Sequence, residues 1–376
     1  MESQLDQFAN ELRSLMSLAA QEGFSSEAID DVRFEELALR LFRIQSKTNL
    51  CYQRYLEAMG CRVDTISRWE DIPCVPTAAF KELEVTSIPE DARSHVFRSS
   101  GTTQKDRGAH YHSERSLALY EHSLFDWFQQ HLLADDEVAS ELSFFSLTPQ
   151  ASDVPESSLV HMLDVVGQGG RYLRTRFFGF LAELGGWDLA LDDVLDALRR
   201  CCASGEAVCL VGTAFNFVQL LDGMTERGML LNLPVGSRLL ETGGYKGRTR
   251  ELSKLELYAS LSRSLNLSED KMVSEYGMSE LSSQAYDQRV HGQTGQSPTR
   301  RFKFAPWARV KLISPETGQQ TSSGEVGLIQ VFDLANVWSV MAVQTEDLGT
   351  LSDGGFELLG RAQEASPKGC SLLPEL

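Results

Sequence analysis

The first apolar residues of the chain recur three and four apart, at Leu5, Phe8, Leu12 and Leu15 and again at Leu37, Leu41 and Phe42, so residues 3–60 read as helices. The last of these, 49–59, stops at Gly60, a residue suited to the left-handed position after a helix. Pro73 and Pro76 then impose an extended path before any helix can resume near Phe80-Lys81. A short apolar lead-in, Val96-Phe97, predicts a strand, and a polar loop follows it. Residues 113–133 return to helical spacing, with Leu117, Tyr120, Leu124, Phe128 and Leu132 on one stripe.

Beyond that helix the pattern alternates. Segments 142–147, 172–178, 207–211, 238–241 and 272–275 have the short apolar character of strands. Between them 157–166 (ended by Gly167), 188–202, 215–226 and 250–265 have helical periodicity. From about residue 299 the texture is β only, at 301–313, 327–332, 339–344 and 356–359, punctuated by Pro315-Glu316-Thr317-Gly318 and Asp353-Gly354. The expected organisation is an N-terminal helical cap (1–65), an α/β core (66–298), an antiparallel β subdomain (299–360) and a tail (361–376). The sequence contains no internal repeat and no low-complexity tract.

Length and composition narrow the function. With 376 residues, 42% of them hydrophobic and 23% charged, the chain can bury a large core in two or three subdomains. Its formal net charge of −18 repels nucleic acid and anionic membranes, so a phosphate ligand needs a local site. No apolar run is long enough for a membrane span, and the start lacks the basic and apolar regions of a signal peptide; the expected location is the cytoplasm. Seven scattered cysteines make no disulfide framework. Cys51, Cys61, Cys74, Cys201, Cys202 and Cys209 read as core residues, which leaves Cys370 apart.

The loop after Val96-Phe97 runs Arg98-Ser99-Ser100-Gly101-Thr102-Thr103-Gln104-Lys105-Asp106-Arg107-Gly108. Its hydroxyls, unobstructed backbone N–H groups and lysine are what a phosphate cradle requires. No Gly-Lys-Ser/Thr ending follows Gly101, which removes the Walker-type kinases and GTPases. His110 and His112 just beyond are expected to make polar contacts and not to bind metal, since no third ligand is near.

Farther along, in order, come Gly243-Gly244, Tyr276-Gly277-Met278-Ser279-Glu280, Thr345-Glu346-Asp347 and Gly360-Arg361. A tyrosine followed by glycine offers a flat face to adenine while the chain turns beneath it, and Glu280 offers a hard oxygen ligand to Mg2+. Ser279 can hydrogen-bond an α-phosphate, and Asp347, expected at a strand end, can accept two ribose hydroxyls. This ordered set resembles the adenylate-forming superfamily of acyl-CoA synthetases, nonribosomal adenylation domains and firefly luciferase. Within it the chain resembles the LuxE acyl-protein synthetases, through Ile72-Pro73 with Phe80-Lys81, the Ser99–Thr103 loop, the stretch from Glu275 to Gln284 and Gly369-Cys370-Ser371-Leu372.

The resemblance implies an α/β fold, with mixed sheets flanked by helices, a small antiparallel β subdomain and a truncated C-terminal domain. It implies ATP and Mg2+, with Ser99, Ser100, Gly101, Thr102, Thr103 and Lys105 around the phosphates, Thr102 and Glu280 catalytic, and Gly243, Gly244, Tyr276, Gly277, Ser279, Asp347 and Arg361 around the nucleotide. It also implies that Cys370 takes the acyl group as a thioester, with Lys368 placed to lower its pKa. The expected activity is ATP-dependent conversion of a hydrophobic carboxylic acid to an acyl-adenylate, then acyl transfer to Cys370 and on to a reductase or carrier-protein partner. Coenzyme A, a carrier protein or an amine as direct acceptor is the alternative, and a catalytically silent nucleotide-binding subunit is a second. The continuation Gln104-Lys105-Asp106-Arg107 departs from the glycine-proline-lysine-glycine common in the superfamily.

Overall fold

Side-chain caps set the ends of the N-terminal helices. In the computed structural model, which describes residues 3–24, 28–99, 107–133, 142–182, 186–243, 252–290, 300–352 and 354–362, α1 (Gln4–Gln21) begins at a capping box. There Asp6 N donates to Ser3 Oγ (3.1 Å) and Ser3 N to Asp6 Oδ2 (3.3 Å). Asp30 caps α2 (Asp31–Thr48), and Asn49 both ends α2 and starts α3 (Leu50–Ala58) by accepting from Tyr52 N (3.0 Å). The predicted stop at Gly60 coincides with a left-handed φ of 65°.

The elements that follow are β1 (Val75–Pro76), α4 (Ala79–Glu82), β2 (His95–Arg98), β3 (Ala109–His112), α5 (Glu114–Leu132), β4 (Ser143–Ser146) and α6 (Ser158–Gly169). Next come β5 (Arg174–Phe177), β6 (Gly179–Leu181), β7 (Trp187–Leu189), α7 (Leu191–Ser204), β8 (Val208–Thr213), α8 (Ala214–Glu226), β9 (Arg238–Thr242), α9 (Lys254–Leu265), β10 (Met272–Tyr276) and β11 (Ala285–Tyr286). The chain continues with β12 (Lys303–Phe304), β13 (Ala308–Ile313), β14 (Val326–Asp333), β15 (Ala342–Ser352) and β16 (Gly355–Arg361). These strands and helices form a mixed α/β structure of several sheets.

The chain forms two units: residues 1–123, 278–283 and 301–376 make the first, and 124–277 with 284–300 the second. In the first, β13, β14, β15 and β16 pair antiparallel, and β1 joins the edge of β15 in parallel with Val75 opposite Val343. Gln45 on α2 ties the helices to this sheet by donating to Asn336 O (2.7 Å) and accepting from Met341 N (3.1 Å). Asn49 adds a bond to Ser339 O (3.2 Å). All of these groups are buried, so each bond also avoids the cost of an orphaned polar atom.

In the second unit β5, β4, β8, β9 and β10 are parallel neighbours and β11 pairs antiparallel with β10. The central strand β8 is buried along its whole length, which explains its unbroken apolar run Val208-Cys209-Leu210-Val211. Leu210, Leu239 and Met272 stand in register across three strands and meet Leu198, Phe217, Leu221 and Leu261 of the helices α7 to α9. Three residues nearer the carboxyl ends, Thr213, Thr242 and Glu275 are likewise in register.

Three local expectations are corrected. Gly167 does not end its helix, which runs to Gly169; a Cβ at Gly167 would stand 2.8 Å from the Phe144 ring, so glycine serves packing there. The expected helix 188–202 is α7, which starts later, at Leu191, because Asp188 and Leu189 belong to β7; Gly205 at φ 77° ends α7. Asp347 lies within β15 and not at its end, because the strand continues through a bulge at Leu348/Gly349 to pair with β16.

Candidate functional site

In the first unit the polar loop is the tip of a hairpin. β2 and β3 pair from His95↔His112 to Arg98↔Ala109, so the order is strand, loop, strand, helix, and not the strand, loop, helix expected. The sequence His110-Tyr111-His112 looks polar, yet His110 and His112 are 3% and 1% exposed, their rings 4.4 Å apart. At the neck of the loop Ser99 N donates to Gly108 O (3.0 Å), Gly108 N to Ser99 Oγ (2.7 Å) and Arg107 Nε to Ser99 O (2.9 Å). Ser100, Gly101, Thr102, Thr103 and Lys105 lie outside the described residues.

Glu280 faces this neck. A Cβ placed on Gly108 would stand 3.0 Å from Glu280 Oε1, 3.2 Å from Ser99 Oγ and 3.3 Å from Phe80 Cβ, so the four residues converge on one point. The Glu280 carboxyl is 6% exposed and has no ion-pair partner among the described residues. Burial pushes it up to about 7, against the opposing pull of its own backbone amide and of Lys81 and Arg361; Glu346 adds to the rise.

The backbone around Glu280 is firmly held. His110, which burial holds down to about 4 and therefore neutral, donates from Nδ1 to Ser279 O (2.8 Å). Asn336 Nδ2 donates to Glu280 O (2.9 Å). Asp333, 0% exposed, accepts from Ser282 N (2.8 Å), Ser283 Oγ (2.7 Å) and Ala335 N (3.0 Å). Burial raises its carboxyl to about 6.

Magnesium takes hard oxygen ligands and usually retains waters and substrate phosphates. A buried carboxyl without a cation partner fits as one such ligand. No group of three or more His, Cys, Asp or Glu side chains arranged to hold a metal occurs among the described residues.

Asp347 and Arg361 are opposite each other on β15 and β16, with Arg361 Nε 3.6 Å from Asp347 Oδ1. The arginine side chain is 75% exposed, and a pair that open to water contributes roughly 1 kcal/mol or less. Asp347 is better fixed: its N–H donates to Thr345 Oγ1 (3.1 Å), and that hydroxyl donates to Ile329 O (2.9 Å).

In the second unit the carboxyl ends of parallel strands carry the remaining residues, where ligands of open α/β sheets bind. Thr242 and Glu275 are register partners, so Gly243 and Tyr276 follow them side by side. Gly243 has φ 69°, a left-handed conformation that favours glycine; Gly244 lies outside the described residues. Thr242 Oγ1 donates to Glu275 Oε2, and burial with the nearby Glu241 raises Glu275 to about 7. Tyr276 is 7% exposed. A Cβ on Gly277 would come within 2.4 Å of Glu275 Oε1, so a larger residue after the tyrosine would have to displace that carboxyl.

The structure thus gathers Ser99, Ser279 and Glu280 in the first unit, pairs Asp347 with Arg361 there, and sets Gly243 beside Tyr276 in the second. It adds Gly108, Thr242, His110 and Glu275 to the residues given site roles from the sequence, where His110 is expected only to make polar contacts and Glu275 only carries the family resemblance. For Gly108 and Glu275 there was a signal, their places beside the loop and beside Tyr276. For His110 polar contacts were expected, but not the partner, Ser279, 169 positions away. Cys370 lies outside the described residues.

The sequence profile of the LuxE acyl-protein synthetases matches residues 170–374, more than half of the chain. The long-chain-fatty-acid–luciferin-component ligase of Vibrio harveyi is 20% identical over 336 residues, 85% of this chain and 82% of that protein. Its counterpart in Aliivibrio fischeri is 20% identical over 389 residues, 97% of this chain and 93% of that protein. Among solved structures, 2-hydroxyisobutyryl-CoA ligase in its postadenylation state with 2-HIB-AMP superposes with a TM-score of 0.62 at 12% identity, covering 88% of this chain and 68% of that one. The ATP-bound MatB of Rhodopseudomonas palustris has a TM-score of 0.48 at 16% identity, with 73% of this chain and 49% of that chain covered. This chain therefore spans about two thirds of the length of the 2-hydroxyisobutyryl-CoA ligase it resembles. By its sequence it belongs to the LuxE acyl-protein synthetase family, on the fold of the adenylate-forming ligases.

Proposed function

We propose that this protein activates a long-chain or otherwise hydrophobic carboxylic acid with ATP and then carries the acyl group on Cys370. Family membership supports the reaction class, and the V. harveyi and A. fischeri relatives, named as long-chain fatty-acid ligases, support the substrate class. The observation that carries the reading is Glu280, a buried carboxyl with no ion-pair partner among the described residues, at the neck of a serine- and threonine-rich loop.

A carboxylate oxygen of the acid forms a bond to the α-phosphorus of ATP, and the bond to the bridging oxygen breaks with its electron pair leaving on pyrophosphate. No protein nucleophile is needed, so catalysis is positioning and charge stabilisation. Ser99 closes the loop neck, His110 fixes the Ser279 carbonyl, and Glu280 would hold the magnesium. When bound, that ion offsets negative charge on the phosphates. The family resemblance assigns ribose contacts to Asp347 and Arg361 and nucleotide contacts to Gly243, Tyr276 and Gly277. In the second step the Cys370 thiolate attacks the acyl carbon, AMP leaves, and the thioester passes to a reductase or carrier protein.

The test is acid-dependent ATP–pyrophosphate exchange over a panel of acids, followed by labelling with radioactive acid. Exchange with long-chain acids and a hydroxylamine-sensitive label absent from Cys370→Ser are expected. Exchange with no acid despite ATP binding overturns the adenylation reading, and a label retained in Cys370→Ser overturns the thioester assignment.

A further inference from the structure

The second unit holds a cavity of about 400 Å³, a volume within the roughly 300–1,000 Å³ of small-molecule sites. Arg174 opens β5 and Glu206 precedes β8, so the cavity lies at the amino ends of the parallel strands, beside the last turns of α7 and away from the strand ends that carry Gly243 and Tyr276. β5 is the edge strand of this sheet. Arg174 and Arg176 are the register partners of Ser143 and Phe145, which puts all four side chains on one face. That face is the one α7 covers, since Phe145 shares a core with Leu198 and Cys201 of that helix.

In a chain of net charge −18 the lining of this cavity is locally basic. Its carboxylate, Glu206, is fully engaged: it pairs with Arg174 Nη2, accepts from Ser143 Oγ, and has Cys201 Sγ at 3.8 Å, with its side chain 8% exposed. The Cys201 thiol adds no charge, because burial and Glu206 push it up to about 11. Arg176 and Arg200 also line the cavity, and neither has an ion-pair partner among the described residues. Arg176 is nevertheless held, its guanidinium carbon 4.7 Å from the centre of the Phe178 ring, a contact that uses no carboxylate. Three arginines thus stand against one glutamate, which leaves two positive charges uncompensated beside the aromatic wall of Phe145.

We propose that this cavity is a binding site for a small molecule that carries an oxyanion, a phosphate or a carboxylate, on a compact apolar group. Arg176 and Arg200 supply charge-assisted N–H donors whose planar fork suits either oxyanion, Phe145 takes the apolar part, and the Arg174–Glu206 pair fixes the wall. The inference is independent of the adenylation reading, because the cavity stands at the opposite end of the strands from Thr242, Glu275 and Tyr276. Arginines on an edge strand also deter pairing with other chains, but that accounts for Arg174 and Arg176 on β5 and not for Arg200 on α7.

Calorimetric titration of the full-length protein with phenyl phosphate and with benzoate tests this. The variants are Arg176→Gln and Arg200→Gln, singly and together, with circular dichroism to establish folding. Arg199→Gln is the control, since Arg199 pairs with Asp196 on the same helix and does not line the cavity. The expected result is saturable binding of at least one probe, weakened about tenfold or more by each cavity substitution and unchanged in the control. The tighter probe identifies the oxyanion. Arginines that only guarded the strand edge would leave probe affinity unchanged in the folded variants. No saturable binding of either probe to the wild type overturns the inference, as does an affinity within about twofold of wild type in the folded double variant. An equal loss in Arg199→Gln overturns it too, since that would reflect net charge alone.

Discussion

Replacing Glu280 by glutamine should make the ligand-free protein more stable and inactive at once. The carboxyl is 6% exposed, without an ion-pair partner among the described residues, and burial raises it from 4.5 to about 7. Between those values the folded chain holds a proton that the unfolded chain has released, so stability falls as pH rises through this window. Above pH 7 the charged carboxylate costs about 3 kcal/mol relative to its solvated state, at about 1.4 kcal/mol per tenfold change in proton affinity. Glutamine keeps the shape and does not ionise. Urea unfolding at pH 5 and pH 8, without nucleotide, should show Glu280→Gln gaining up to about 3 kcal/mol over wild type at pH 8 and much less at pH 5. Glu275, at about 7, and Asp333, at about 6, titrate in the same range, but they are common to both proteins and drop out of the difference. The same variant should lose pyrophosphate exchange. An equal difference at both pH values, or a variant less stable than wild type at pH 8, would refute the account of an uncompensated buried charge.

Gly108→Ala should lower exchange at least tenfold and raise the KM for ATP, because its Cβ would stand 3.0 Å from Glu280 Oε1 and 3.2 Å from Ser99 Oγ. Overpacking of this kind costs about 1–3 kcal/mol, and unchanged kinetics would show that the corner can open. Asp333→Ala should destabilise by about 3 kcal/mol or more in urea, since three buried donors lose their acceptor. A loss under about 1 kcal/mol would mean that water replaces the carboxylate.

Much of the fold was legible where period and cap coincide. Leu5, Phe8, Leu12 and the Ser3 box describe α1 without tertiary knowledge, and the Val208–Val211 run identifies a strand buried on both faces. What escaped depended on partners distant in the chain. β3 is hidden because His110 and His112 look polar until Phe97 and Ser279 are known to cover them. Asp347 reads as a strand end because the bulge that lets β15 continue is paired with β16. The chemistry of Glu280 could be read from its motif, but not its burial, which follows from what packs around it.

The parallel pairing of β1 with β15 has a bearing on synthesis. Residue 75 waits for residue 343 to leave the ribosome, whereas every strand and helix of the second unit has emerged by residue 300. The later-numbered unit is therefore complete first, while α1, α2 and α3 are already translated with their apolar stripes uncovered. For most of translation these helices need either local pairing with one another or a chaperone. The interval ends only when β15 arrives, because Gln45 and Asn49 find their acceptors in the segment just before it.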